Sequence, residues 1–110
     1  LLTRPRKVLY KLAKSKNIWE RRIAIVSTYA FIQQGQVLDT FAISDLLKKD
    51  THDLIHKAVG WMLREAGKQS SFALETYLAS RYKTMNRTTL RYAIERFPQS
   101  TRKQYLTGTV

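Results

Sequence analysis

Glu20-Arg21-Arg22-Ile23-Ala24-Ile25 is a phrase that the chain writes three times. It returns as Leu54-Ile55-His56-Lys57-Ala58-Val59 and again as Thr89-Leu90-Arg91-Tyr92-Ala93-Ile94. The small residue in fifth place, Ala24, Ala58 or Ala93, recurs after 34 and then 35 residues. That period suits helical-pair solenoids, in which each pair buries its apolar face against the next. A small side chain at the repeated place lets two helices approach closely. The expected fold is an all-α, right-handed helical-pair solenoid of about three antiparallel pairs, forming a single domain over residues 1–110. A plain bundle of look-alike basic helices is the alternative.

Outward from these phrases, apolar residues keep helical spacing almost throughout. Thr3-Arg4-Pro5 reads as an N-cap followed by Pro in a first turn, and Val8, Leu9, Leu12 and Ala13 then form a stripe. Ser15-Lys16-Asn17 breaks the pattern, and a long helix is predicted from Ile18 to Gln34, closed by Gly35. Thr40 is the expected cap of a helix over Phe41–Lys48, with Ile43, Leu46 and Leu47 facing in. Asp50-Thr51-His52-Asp53 offers several caps for a helix over Leu54–Ala66, ended by Gly67. Ser70 or Ser71 opens the next, with Phe72, Leu74, Tyr77 and Leu78 inward. Asn86 caps a helix over Arg87–Phe97, which Pro98 stops, and a short last helix is predicted from Ser100 to Leu106.

Only four Gly and two Pro occur, which disfavours a strand-rich fold. With no Cys, disulfide frameworks and thiol-rich zinc sites are excluded. No apolar run approaches the roughly 20 residues of a membrane span, so no membrane partner is expected. A reducing, cytoplasmic setting is the expected location. Lys and Arg total 20 against 8 Asp and Glu, a formal net charge of +12, which points to a polyanion partner. The chain starts at Leu1 without Met or a signal-peptide pattern, so it is expected to be a piece of a longer protein.

The cations fall on helix faces. Lys57, Trp61, Arg64 and Lys68 share one face at spacings of four, three and four. Trp19 and Arg22 share a face with Ile23 and Val26, and Arg87, Arg91 and Glu95 share another. If the second helices of successive pairs stack side by side, these cations join into a stripe that can follow the phosphates of a duplex. Arg and Lys bind phosphate by charge, and Arg also by a two-pronged hydrogen bond. The indoles of Trp19 and Trp61 offer flat faces for sugars or bases; core packing is the competing reading for each. The candidate DNA-binding residues are therefore Trp19, Arg22, Lys57, Trp61, Arg64, Arg87 and Arg91. His52 and His56 stand four apart around Asp53 but lack a third ligand, so helix capping is the stronger reading and no metal is expected. Spacing alone nominates no catalytic residue.

Three stretches, in this order, carry a family resemblance. Asn17-Ile18-Trp19-Glu20-Arg21-Arg22-Ile23-Ala24-Ile25, Lys57-Ala58-Val59-Gly60-Trp61-Met62-Leu63-Arg64-Glu65, and Thr84 through Phe97 resemble the DNA alkylation repair family of AlkD-like glycosylases. The resemblance implies HEAT-like or ARM-like repeats whose concave basic face wraps duplex DNA. Its active members excise cationic alkylated purines, such as 3-methyladenine and 7-methylguanine, by hydrolysis of the N-glycosidic bond without base flipping. No cofactor is implied. Trp19 matches the family's motif tryptophan, and Arg64 the phosphate-contacting Arg of its Gly-Trp-x-x-Arg-Glu motif. Members are roughly twice as long, which would make this chain a C-terminal half.

Two positions depart from the active pattern. Where the resemblance implies an Asp one turn after Trp19, the chain has Ile23, and no Trp follows Trp61. Binding of alkylated duplex DNA is expected, and base excision by the full-length protein stays open. The rival reading is a non-catalytic helical-repeat scaffold for a protein or structured RNA, since fold alone does not decide function. An exposed terminal repeat edge would also allow self-association.

Overall fold

The computed structural model describes residues 6–110, and all regular structure among them is helical. In chain order it runs α1 (Arg6–Ala13), α2 (Ile18–Val26), α3 (Tyr29–Gln33), α4 (Leu38–Leu46), α5 (Asp53–Gln69), α6 (Ser71–Ala79), α7 (Arg87–Ala93) and α8 (Gln99–Thr107). The expected cap at Thr3 and first-turn Pro5 lie outside the described residues.

Side-chain caps start several of these helices, because the first backbone N–H groups of a helix have no partner within it. Asn17 Oδ1 accepts from the Trp19 and Glu20 amides at 2.8 and 3.3 Å. Ser70 Oγ accepts from Ala73 N at 3.1 Å. Asn86 Oδ1 accepts from the Thr88 and Thr89 amides at 2.9 and 3.2 Å.

The long helix expected to run to Gln34 is two helices. It breaks at Ser27 and Thr28, where the buried Thr28 hydroxyl donates to the Ile25 carbonyl at 2.6 Å. Gly35, at φ 79°, follows α3 in the left-handed conformation that ends helices. The next helix begins at Leu38 rather than after Thr40, and Thr40 is fully buried inside it with a hydroxyl that finds no hydrogen-bond partner among the described residues. Its first turn carries Asp39, a favourable charge for a helix N-terminus. Gly67 lies within α5, pressed against Leu74, instead of ending the helix. Leu46 and Phe72, expected inward, are exposed; Ile43, Leu47, Leu74, Tyr77 and Leu78 are buried as expected. α7 ends at Ala93, and Pro98 precedes α8 as its N-cap.

α5 is the hub. It packs on α2 and on α7, and also touches α3, α4 and α6. The helices that carry the repeated phrase therefore form a contiguous series α2, α5, α7, and Ala24, Ala58 and Ala93 are all buried. Gly60 makes the α5/α7 approach close: a Cβ there would lie 2.5 Å from Tyr92 Cβ and 2.8 Å from the Thr89 carbonyl oxygen. Thr89 Oγ1 in turn donates to the His56 carbonyl at 2.9 Å across the same contact.

The preceding helices are joined by polar ties. Arg6 and the Tyr10 hydroxyl of α1 donate to Asp39 of α4 at 2.8 and 2.6 Å. Asp45 of α4 accepts from the Tyr77 hydroxyl of α6 and from Arg81 just beyond it, while Phe41 stacks on Tyr77 at 4.7 Å. Arg21 of α2 donates to Asp50, before α5, at 2.6 Å, with both side chains largely buried. Removing either partner of such a pair strands a buried charge, which typically costs about 3–5 kcal/mol.

Candidate nucleic-acid interface

An open groove of about 360 Å³ crosses the α2–α5–α7 series. Arg22 enters from α2, Lys57, Trp61 and Arg64 from α5, and Tyr92 from α7. Four of the seven candidate residues thus meet on one surface. On an ideal helix Lys57, Trp61 and Arg64 lie within about 60° of one another, at about 100° per residue, which is why α5 presents all three together.

Their electrostatics differ. Arg22 has no hydrogen bond or ion pair among the described residues. Lys57 is half-exposed and sits 3.3 Å from Asp53, one turn back, a pairing typically worth only about 0.3–0.5 kcal/mol. Arg64 is more constrained. Its guanidinium donates to Glu95, beyond α7, and lies 3.8 Å from Glu65, which also holds Lys68 at 3.1 Å. Glu95 therefore occupies one prong of Arg64, where a phosphate oxygen could sit.

Trp61 is divided between the core and the surface. It is partly buried against the core, its ring 6.5 Å from that of Tyr29, and its remaining face lines the groove. Trp19 lies outside the groove lining, on the exposed side of α2. It is 62% exposed, and Ile23, one turn on, is 50% exposed. Glu20, next to Trp19 in sequence, accepts from the Ser15 hydroxyl. Arg87 is exposed at the start of α7. Arg91 does not join Arg22, Lys57 and Arg64 in their groove as expected; it lines a neighbouring one between α7 and α8, because the helix turn that points Tyr92 into the first groove points Arg91 past it.

A cleft of about 350 Å³ lies on another side of α5, where His56 and Val59 face Asp45, Tyr77 and Arg81. Asp45 and Arg81 in this lining are committed to the fold. Arg81 forms a two-pronged pair with Asp45 at 2.8 and 3.0 Å and lies 4.1 Å over the Tyr77 ring. Burial works to raise the Asp45 carboxyl, but the hydrogen bonds from Arg81 and Tyr77 and the charges of Arg81 and Lys48 more than offset it and hold it below its ordinary range. Burial, together with the same carboxylate, pushes the Tyr77 phenol up. Burial and then the Asp39 hydrogen bond likewise push Tyr10 up to about 12. His56 Nε2 lies 2.6 Å from the Asp50 carbonyl oxygen, and Nδ1 lies 3.9 Å from Asp53. His52 stands at the N-cap of α5 without a side-chain cap bond, and its own amide donates to Asp50 Oδ1 at 2.9 Å, just ahead of the helix.

A family model described as DNA alkylation repair enzyme matches residues 1–97. The chain belongs to the DNA alkylation repair enzyme family. Comparison with curated proteins and with solved structures gave no match. Within this family member α8 lies past the matched segment. Among the described residues no helix is long and apolar enough to cross a membrane.

Sequence reasoning missed Tyr92 as a groove wall, the hold of Glu95 on Arg64, and the cations of α8. The Arg102-Lys103 pair was visible in the chain. Its placement beside Arg91 depends on how α8 folds back, which no local pattern encodes.

Proposed function

We propose that the chain binds duplex DNA carrying alkylated bases, along the face built by α2, α5 and α7. The helices are read as three HEAT-like pairs whose second members form the concave side. The observation that carries this reading is the meeting of Arg22, Lys57 and Arg64 with the Trp61 ring in one groove across three helices. The family match supports the choice of partner. The cations would take backbone phosphates, and the indole faces would lie against sugars.

Excision of cationic purines such as 3-methyladenine or 7-methylguanine asks little acid catalysis, because the positive base already leaves readily. It does ask for a negative charge near the developing sugar cation. Among the described residues, the groove lining contains no carboxylate, Glu95 is held by Arg64, and Ile23 stands beside the exposed Trp19. An electrostatic contribution of this kind is typically worth about 3 kcal/mol. This chain by itself is therefore proposed to bind without excising.

One experiment tests both halves. Duplex affinity is measured against salt for the chain and for Arg22→Gln/Arg64→Gln, and release of 7-methylguanine from methylated duplex is measured for the chain and for Ile23→Asp. The double variant should flatten the salt slope by about two units, roughly one per lost phosphate contact. The unmodified chain should release no base, and Ile23→Asp should gain release. Binding indifferent to salt would favour an apolar protein interface instead, and robust release by the unmodified chain would overturn the non-excising assignment.

A further inference from the structure

The groove beside the proposed DNA-binding one is built by α7 and α8, measures about 390 Å³, and is lined by Arg91, Glu95, Gln99, Arg102 and Lys103 among others. The two grooves meet at one ion pair: Arg64 lines the first, and its partner Glu95 lines the second. Arg91, near the end of α7, and Glu95, just beyond it, line the same groove. The cations of the two grooves therefore continue one another.

The second groove holds three cations against one carboxylate, and that carboxylate is already engaged by Arg64. Arg91 and Lys103 have no ion pair among the described residues. Arg102 makes a single long hydrogen bond of 3.4 Å to the Glu95 carbonyl. Arg102 and Lys103 sit on an anchored helix. Tyr105 of α8 is buried, edge-on to Tyr82 at 5.2 Å and tilted against Phe97 at 5.6 Å. A helix fixed in this way presents its cations without the ordering cost of a flexible tail. A duplex carries one negative charge per about 1.7 Å of its axis, so a track that continues past the first groove keeps meeting phosphates.

We propose that Arg91, Arg102 and Lys103 form a second phosphate-binding site, which extends the duplex track beyond the segment matched by the family model. The proposal rests on the DNA-binding reading of the first groove. The site takes backbone phosphates flanking those at Arg22, Lys57 and Arg64, and it reads no base.

The test uses the whole chain and an unmodified duplex of two helical turns, about 20 base pairs. Salt slopes are compared for the chain, Arg102→Gln, Lys103→Gln, the double variant, and Arg22→Gln/Arg64→Gln as reference. Each α8 substitution should reduce the slope by about 0.9 and the double by about 1.8, at about 0.9 per lost phosphate contact. The thermal midpoint should not fall, since neither side chain enters the core and each substitution removes a surplus positive charge. If the α8 variants keep the parent slope while the reference variant flattens it, the second site is overturned and the first stands. If the parent chain shows no salt-dependent duplex binding, both fall together.

Discussion

Gly60 sets how closely α5 and α7 approach, and Gly67 offers a control on the same helix. A methyl group at position 60 would meet backbone and Cβ atoms at 2.8 and 2.5 Å, neither of which can rotate away. At position 67 it would meet Leu74 Cδ2 at 2.5 Å, the far end of a flexible side chain. Both substitutions gain about 1 kcal/mol of helix propensity, while overpacking a tight contact costs about 1–3 kcal/mol. Gly60→Ala should therefore lower the thermal midpoint by several degrees, and Gly67→Ala should leave it nearly unchanged or raise it. Equal behaviour of the two in a melting experiment would contradict the close α5/α7 contact. At this scale the burial of the repeated alanines was legible, because a small residue that recurs on helices marks a place where they approach closely. The role of Gly60 was not, since a glycine within a motif can mark a turn, a cap or a crossing. The site was half legible for a similar reason. Spacing put Lys57, Trp61 and Arg64 on one face, but Arg64 finds Glu95 thirty-one residues away, and no local pattern reveals that pairing.

Helix boundaries were readable where a side chain caps them, as at Asn86 and Ser70, and obscure where tertiary packing decides. The Ser27–Thr28 break falls at two polar residues within an apolar stretch, with neither Gly nor Pro to announce it. Thr40 looked like a cap, but the helix already begins at Leu38 and carries Asp39 in its first turn, where Arg6 and Tyr10 reach it from α1. The tie between α4 and α6 has a measurable signature. Asp45 has its carboxyl lowered from the ordinary 3.8 in the folded chain. A depressed carboxyl stabilises the fold above its unfolded value near 3.9, and that stabilisation is lost as pH falls through the folded value. Asp45→Asn should therefore melt lower than the parent at neutral pH, and the gap should close as the pH drops below about 4. A constant gap across that range would mean that the carboxylate charge contributes nothing to this tie.

At the scale of the whole molecule, six of the eight acidic residues are engaged by cations. Asp39, Asp45, Asp50, Asp53, Glu65 and Glu95 each hold a cation in an ion pair. The net charge of +12 is thus carried by side chains with few counter-charges nearby. Such a surface repels itself, and the repulsion weighs on the compact state more than on an extended chain. Raising ionic strength from about 0.01 to 0.15 M shortens the screening length from about 30 to 8 Å, which quiets that repulsion. The thermal midpoint of the free chain should climb over this interval; a fall, followed by scanning calorimetry, would mean that the ion pairs outweigh the surplus charge. The electrolyte that would loosen a polyanion from the cationic track thus leaves behind a sturdier molecule, and the free chain is at its most fragile in dilute buffer, where its grip would be strongest.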